Sequence, residues 1–297
     1  MRQFTWLIFS LSLFSYGVFG QGALSVVQEA GTGQGTATNP TGTFASTQAA
    51  GDANIVLIEY CGKPGGDGDN PGCGMTAQPG PIASITDTAG NTYTRNCGPI
   101  TTISAGSYTN DCGGGAPTQD HQTTTAEIWS ALSIKTAPAG NIVTAHMTAP
   151  SNLTGWNIWM FQIHPSSGKV VFDQSVSKQS GTLSSPVAGP ISTGTTATTN
   201  YPNEFFLAFC NTSNGTCPGG QNEPPWVEAG LGHSDGNFFD THSDAAYRIV
   251  NSEQPAVENF SAGSGNNVWL GLLVTYGSSS SQAQGPLPPT NLQANVQ

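Results

Sequence analysis

Four runs of this chain are apolar at alternate positions of both parities, and no other feature restricts the fold as much. In residues 54–60 (NIVLIEY), Ile55 and Leu57 fall on one side of an extended strand and Val56 and Ile58 on the other. Residues 156–163 (WNIWMFQI), 204–210 (EFFLAFC) and 268–275 (VWLGLLVT) repeat the pattern. Side chains alternate across a strand, so a strand apolar on both sides needs cover above and below. A helix would need an apolar stripe of period 3.6, and no window of ten or more residues carries one with caps. Shorter strands are predicted at residues 24–28, 82–86, 92–95, 126–133, 141–147, 170–172 and 246–250, between turns rich in Gly, Pro and Asn. The pattern predicts an all-β fold, a jelly-roll-like antiparallel β-sandwich in one domain over residues 21–276.

Residues 1–20 read as a secretory signal: Arg2, an apolar run, then Val18 and Gly20 before the cleavage point. The run is also about the length of a membrane helix, and no later segment is apolar enough to span a bilayer. The expected mature protein is therefore exported and soluble. The full chain's 7 Lys and Arg are scattered against 18 Asp and Glu, a formal net charge of −11. That balance excludes nucleic acid and anionic membrane as partners.

The 6 cysteines suit an oxidising compartment and fall into near-neighbour pairs, Cys61 with Cys73, Cys97 with Cys112, and Cys210 with Cys217. Each pair encloses a loop-like segment, so three disulfide-stapled loops are expected. Closing Cys97–Cys112 would restrain the unfolded chain by about 3 kcal/mol. Zinc is the rival reading, but there is no CxxC and no His at ligand spacing.

Residues 84–95 (SITDTAGNTYTR) read as a hairpin in which Asp87 and Asn91 bracket a tight loop and Gly90 takes positive φ. Asp87 is expected to accept N–H groups of its own loop rather than bind a ligand. With ANIVLIEY, AEIWSALSIKTAPAGNIVTAHM and NNVWLGLLVTYG, in that order across residues 23–277, the segment resembles a group of bacterial secreted β-sandwich domains. Members of that group are often followed by fibronectin type III modules. Residues 277–297 fit this resemblance: a Ser/Gln-rich linker, then PLPPTNLQANVQ, similar to a vestigial first strand of such a module. The resemblance implies a surface or extracellular role and assigns no catalytic residue. The chain departs from the group in its cysteine-bearing insertions, Cys61–Cys73 and Cys97–Cys112.

Several clusters are candidates for chemistry. Asp67 and Asp69 in GGDGDNPG present oxygen ligands at alternate positions, which suits calcium, though the twelfth-position Glu of an EF-hand is missing. Asp235, Asp240 and His242, with His233 and Asp244, form a second possible cation cluster in GHSDGNFFDTHSDAAYR; a solvated turn is the alternative. GHSDG also matches the GxSxG nucleophile elbow at Ser234, but the strand-to-helix context is missing. Glu59, Glu127 and Glu204 lie in or beside strands, and two of them converging would suit glycoside hydrolysis; each is expected instead at a strand end, reaching water. Trp226, Phe238 and Phe239 are the expected exposed aromatics and the candidate ligand-binding residues, since sugar rings stack on such faces. His146 and His164 show no partner in the sequence.

These observations favour a secreted, non-catalytic extracellular binding or adhesion module for polysaccharide or another extracellular surface. A secreted carbohydrate-active hydrolase and a structural cell-envelope component are the alternatives. Fold alone does not choose among them.

Overall fold

The computed structural model describes residues 22–33, 39–62, 80–101, 124–180, 191–212, 225–229, 242–260 and 269–279. In chain order the strands are β1 (Leu24–Gly33), β2 (Thr41–Phe44), β3 (Ala53–Gly62), β4 (Ile82–Asp87), β5 (Thr94–Thr101), β6 (Thr124–Leu132), β7 (Asn141–Met147) and β8 (Leu153–Pro165). There follow β9 (Lys169–Ser180), β10 (Ile191–Ser192), β11 (Glu204–Thr212), β12 (Val227–Glu228), β13 (His242–Val250), β14 (Asn259–Phe260) and β15 (Trp269–Ser279). A single 3₁₀ turn at Pro150–Asn152 is the sole helical element among the described residues, and none of their helices is long and apolar enough to cross a membrane.

Among the described residues all pairings are antiparallel, and they build four sheets: β2-β7-β4, β1-β8-β3-β6-β5, β12-β13-β11-β15-β9 and β10-β14. The doubly apolar runs explain the stacking. On β3, Ile55 and Leu57 pack with Phe205, Leu207 and Leu272 of the second five-stranded sheet. From the other face of β3, Val56, Ile58 and Tyr60 pack with Phe44, Ile85 and Val143 of the three-stranded sheet. The second five-stranded sheet repeats the arrangement, sending Phe206, Ala208 and Leu273 outward onto Ile191 and Phe260 of the small β10-β14 pair. Each large side chain so enclosed contributes about 1.5–3 kcal/mol of burial, and four layers supply three such interfaces. Gly271 interrupts VWLGLLVT because a Cβ there would come within 2.8 Å of the Ser192 carbonyl oxygen, where β10 lies on β15.

The expected hairpin at SITDTAGNTYTR does not form. β4 pairs with β7 in the three-stranded sheet, whereas β5 pairs with β6 in the neighbouring sheet, so the chain turns a corner between layers. Asp87 holds that corner. Its Oδ1 accepts the Asn91 backbone N–H (2.9 Å), and its Oδ2 accepts the Asn91 amide (2.7 Å), the Tyr93 hydroxyl (3.0 Å) and the Asn141 amide (3.2 Å). Gly90, at φ 71°, closes the turn with its N–H on the Asp87 carbonyl. The expected role of Asp87 within its own loop is therefore what the structure has, in a different kind of turn.

The corner ends a seam of amide and carboxylate groups buried between the two sheets. Tyr93 accepts from Asn54, Asn54 from Gln48, and Gln48 from Asn141. At its far end Asp52 accepts from Gln162 and pairs with His164 Nδ1 at 2.7 Å. His146 meets the Thr86 hydroxyl at 2.8 Å. Both histidines thus have partners that the sequence did not reveal.

The cysteine staples fare unevenly. Cys97 is a free thiol buried in the core between the two five-stranded sheets, so the expected Cys97–Cys112 bridge is not made. β5 presents its sulfur inward, 3.9 Å from the Val176 carbonyl oxygen of β9. Cys210 is disulfide-bonded, and its partner lies beyond the described side chains. Cys73, Cys112 and Cys217, and the side chain of Cys61, also fall outside them.

Candidate functional site

A concavity lies where the edges of the two five-stranded sheets face each other. It is a cleft of about 340 Å³ lined by Glu29, Ala30 and Gly31 of β1, Trp159, Met160 and Phe161 of β8, and Ala229 just after β12. A bulge between Val26 and Gln28 shifts the register of β1 on β8. It changes which parity of β1 faces which layer, so Glu29 reaches the second five-stranded sheet instead of the polar seam.

The floor is aromatic. Phe161 lies 5.7 Å from Phe205 and 5.6 Å from Tyr247, and Trp159 lies 5.5 Å from Phe209. These tilted and edge-on pairings lock the rings in place, so the cavity is preformed. The rim is polar on one side, where the Tyr247 hydroxyl donates to Glu29 Oε1 at 2.8 Å. Burial, the Glu29 hydrogen bond and the Glu29 charge push the Tyr247 hydroxyl up to about 12, which keeps it a donor. Trp159 also carries a buried indole N–H with no hydrogen-bond partner. Fixed apolar rings beside the Glu29 carboxylate suit recognition of an apolar group with an adjacent hydrogen-bond donor.

The three strand glutamates do not converge. Glu59 and Glu127 are fully buried and face different layers, while Glu204 sits in the outer core at the start of β11. The expectation that each reaches water is wrong, because each has a buried set of donors or a neighbouring carboxyl. Glu59 accepts from Asn157 (2.9 Å), Asn211 (2.6 Å) and the Ser243 hydroxyl. Desolvation raises its pKa, and those three donors oppose the rise. Glu127 forms an ion pair with Arg95 (2.7 Å) and accepts from Tyr60, Trp129 and the Ile82 N–H. Burial, with the Asp173 carboxyl beside it, pushes Glu204 up to about 8.

Trp226 is half-buried and packed on Phe206 (6.5 Å between centroids), with the Arg248 guanidinium 5.7 Å from its ring. It belongs to the outer core, across the sheet from the cleft. Phe238, Phe239, Asp67, Asp69, Asp235, Asp240 and Ser234 lie outside the described residues, as does the side chain of His242 at the start of β13. No three His, Cys, Asp or Glu gather into a metal site among the described residues. Glu29, Trp159, Phe161 and Tyr247 were missed as site residues because the alternating pattern marks the rings as core and gives no sign of the bulge. Compared with known proteins, the chain matches no family model, no curated protein and no solved structure.

Proposed function

We propose that this protein is an exported, non-catalytic binding or adhesion module whose recognition surface is the cleft beside β1. The observation that carries the reading is the cleft itself: a fixed aromatic floor with, among the described residues, a single carboxylate on its rim. A hydrolase of the two-carboxylate type needs a second acid across the scissile bond. Glu59 and Glu127 are each enclosed in a separate core. The resemblance to secreted domains and the signal-like residues 1–20 support an extracellular place of work. In this reading the stack functions as a rigid jelly-roll-like sandwich with loops stapled at Cys61–Cys73 and Cys210–Cys217, and polysaccharide or another extracellular protein is the surface it meets.

The test is retention of the mature protein on a panel of insoluble polysaccharides and cell-surface protein fractions, with calcium and with EDTA. Retention on at least one surface without release of soluble sugar is expected. Release of sugar would establish the hydrolase instead. Retention on none would leave a structural role.

A further inference from the structure

The edges of the two five-stranded sheets are not treated alike. An open strand edge is a template for another strand, and proteins blunt it with short strands, bulges, proline or lysine. β5 is broken by two register shifts and by Pro99, which has no N–H to offer. β9 carries Lys169 and Lys178 and a register shift against β15. β12 is two residues long. β1, ten residues with the sequence LSVVQEAGTG, contains no lysine, arginine or proline, and no strand of the described residues flanks its outer side.

Among the described residues, the cover on the β1 edge lies over its first half. The bulge lies there, and the Gln28 side-chain amide clasps the Ser46 backbone, accepting from its N–H (3.0 Å) and donating to its carbonyl (3.3 Å). Among the described residues, neither device recurs from Glu29 onward. Those same residues, Glu29 to Gly31, form one wall of the cleft. A strand edge that no described strand covers, beside a preformed apolar pocket, has the geometry of strand addition, in which backbone pairing holds a peptide and a pocket selects its side chain.

We infer that the second half of β1 accepts an extended segment of a partner protein as an added strand, an apolar side chain of which enters the cleft beside a basic residue that meets Glu29. The inference rests on the binding reading above and names the partner class. Charge decides the kind of strand. Glu29 and the net charge of −11 disfavour an acidic partner. They also disfavour a second copy, because both copies carry the same net negative charge. A basic strand is attracted by the same groups.

The probe is a phage-displayed library of random 12-residue peptides, selected on the full mature protein and counter-selected on its Glu29→Lys variant. Enriched peptides should alternate apolar and polar residues, lack internal proline and place Lys or Arg next to an apolar anchor. Hydrogen exchange should show β1 amides from residue 29 on gaining protection when such a peptide binds. Glu29→Lys should weaken it at least tenfold, and exchanging the peptide's basic residue for Glu should recover most of that loss. Ala30→Pro, checked for folding by its thermal transition, should abolish the protection. If peptides or polysaccharides bind with a Glu29 dependence but leave β1 exchange unchanged, strand addition is wrong and the binding reading stands. If nothing is enriched and no polysaccharide is retained, both are wrong.

Discussion

Glu59 on β3 and Glu127 on β6 sit on adjacent, hydrogen-bonded strands and project to opposite faces of one sheet. In the register of these strands Glu127 lies opposite Ile58, one residue from Glu59. Glu59 enters the layer shared with β11 and β13, and Glu127 enters the layer shared with Ile82 and Arg95. Two acids one pairing step apart are thus separated by a whole sheet.

The consequence is that these residues govern stability. Glu127→Gln leaves the Arg95 guanidinium without its charged partner and should cost about 3 kcal/mol. Glu59→Ala strands three buried donors and should cost about 2–4 kcal/mol, with Glu59→Gln milder. Chemical denaturation measures both, and a loss under 1 kcal/mol for Glu127→Gln would show that the ion pair is not the anchor of that layer.

Glu204 predicts an alkaline weakness. Its carboxyl is raised to about 8 by burial and by Asp173, so the folded state binds a proton more tightly than the unfolded chain does. Stability from this group is full below its ordinary value of about 4.5 and is lost as pH climbs through about 8. Glu204→Gln should therefore flatten the fall in Tm between pH 5 and 9 (about that window), and Asp173→Asn should shift the fall to higher stability at alkaline pH. Identical Tm-against-pH curves for wild type and Glu204→Gln would contradict this.

Asp87 predicts the opposite sign. Burial raises its carboxyl, but the Asn91, Asn141 and Tyr93 hydrogen bonds outweigh that and hold it below the ordinary carboxylate value. The corner's contribution is present above that ordinary value and is lost as pH falls through the lowered one. Asp87→Ala should cost about 2 kcal/mol at neutral pH and less in acid. Urea unfolding at several pH values checks it.

Cys97 should be chemically silent. Burial pushes its thiol up to about 11, and its side chain faces the inter-sheet core. Iodoacetamide on the native protein should leave Cys97 unmodified, and labelling should follow unfolding in guanidinium. Rapid native labelling, read by peptide mass, would place that sulfur elsewhere.

Much of the layering was legible in the sequence, because doubly apolar strands such as NIVLIEY and EFFLAFC admit few arrangements. What alternation cannot express is which strand pairs with which. SITDTAGNTYTR has the composition of a hairpin turn, and the same Asp, Gly and Asn serve a corner equally well because the loop's own hydrogen bonds satisfy it in both. Nor does local spacing disclose long-range partners. Cys97 sits within reach of Cys112 along the chain, yet strand orientation turns its sulfur into the core. The cleft stayed hidden for a related reason: Glu29 meets Tyr247 only through a one-residue bulge and the stacking of two sheets.

Binding at the cleft stands or falls on Glu29. The most direct measurement is the affinity of the mature protein for the surface or peptide that retains it, wild type against Glu29→Lys, with Tm recorded for both. At least a tenfold loss of affinity at a Tm within a few degrees of wild type is predicted. Equal affinity in the two proteins would contradict the account.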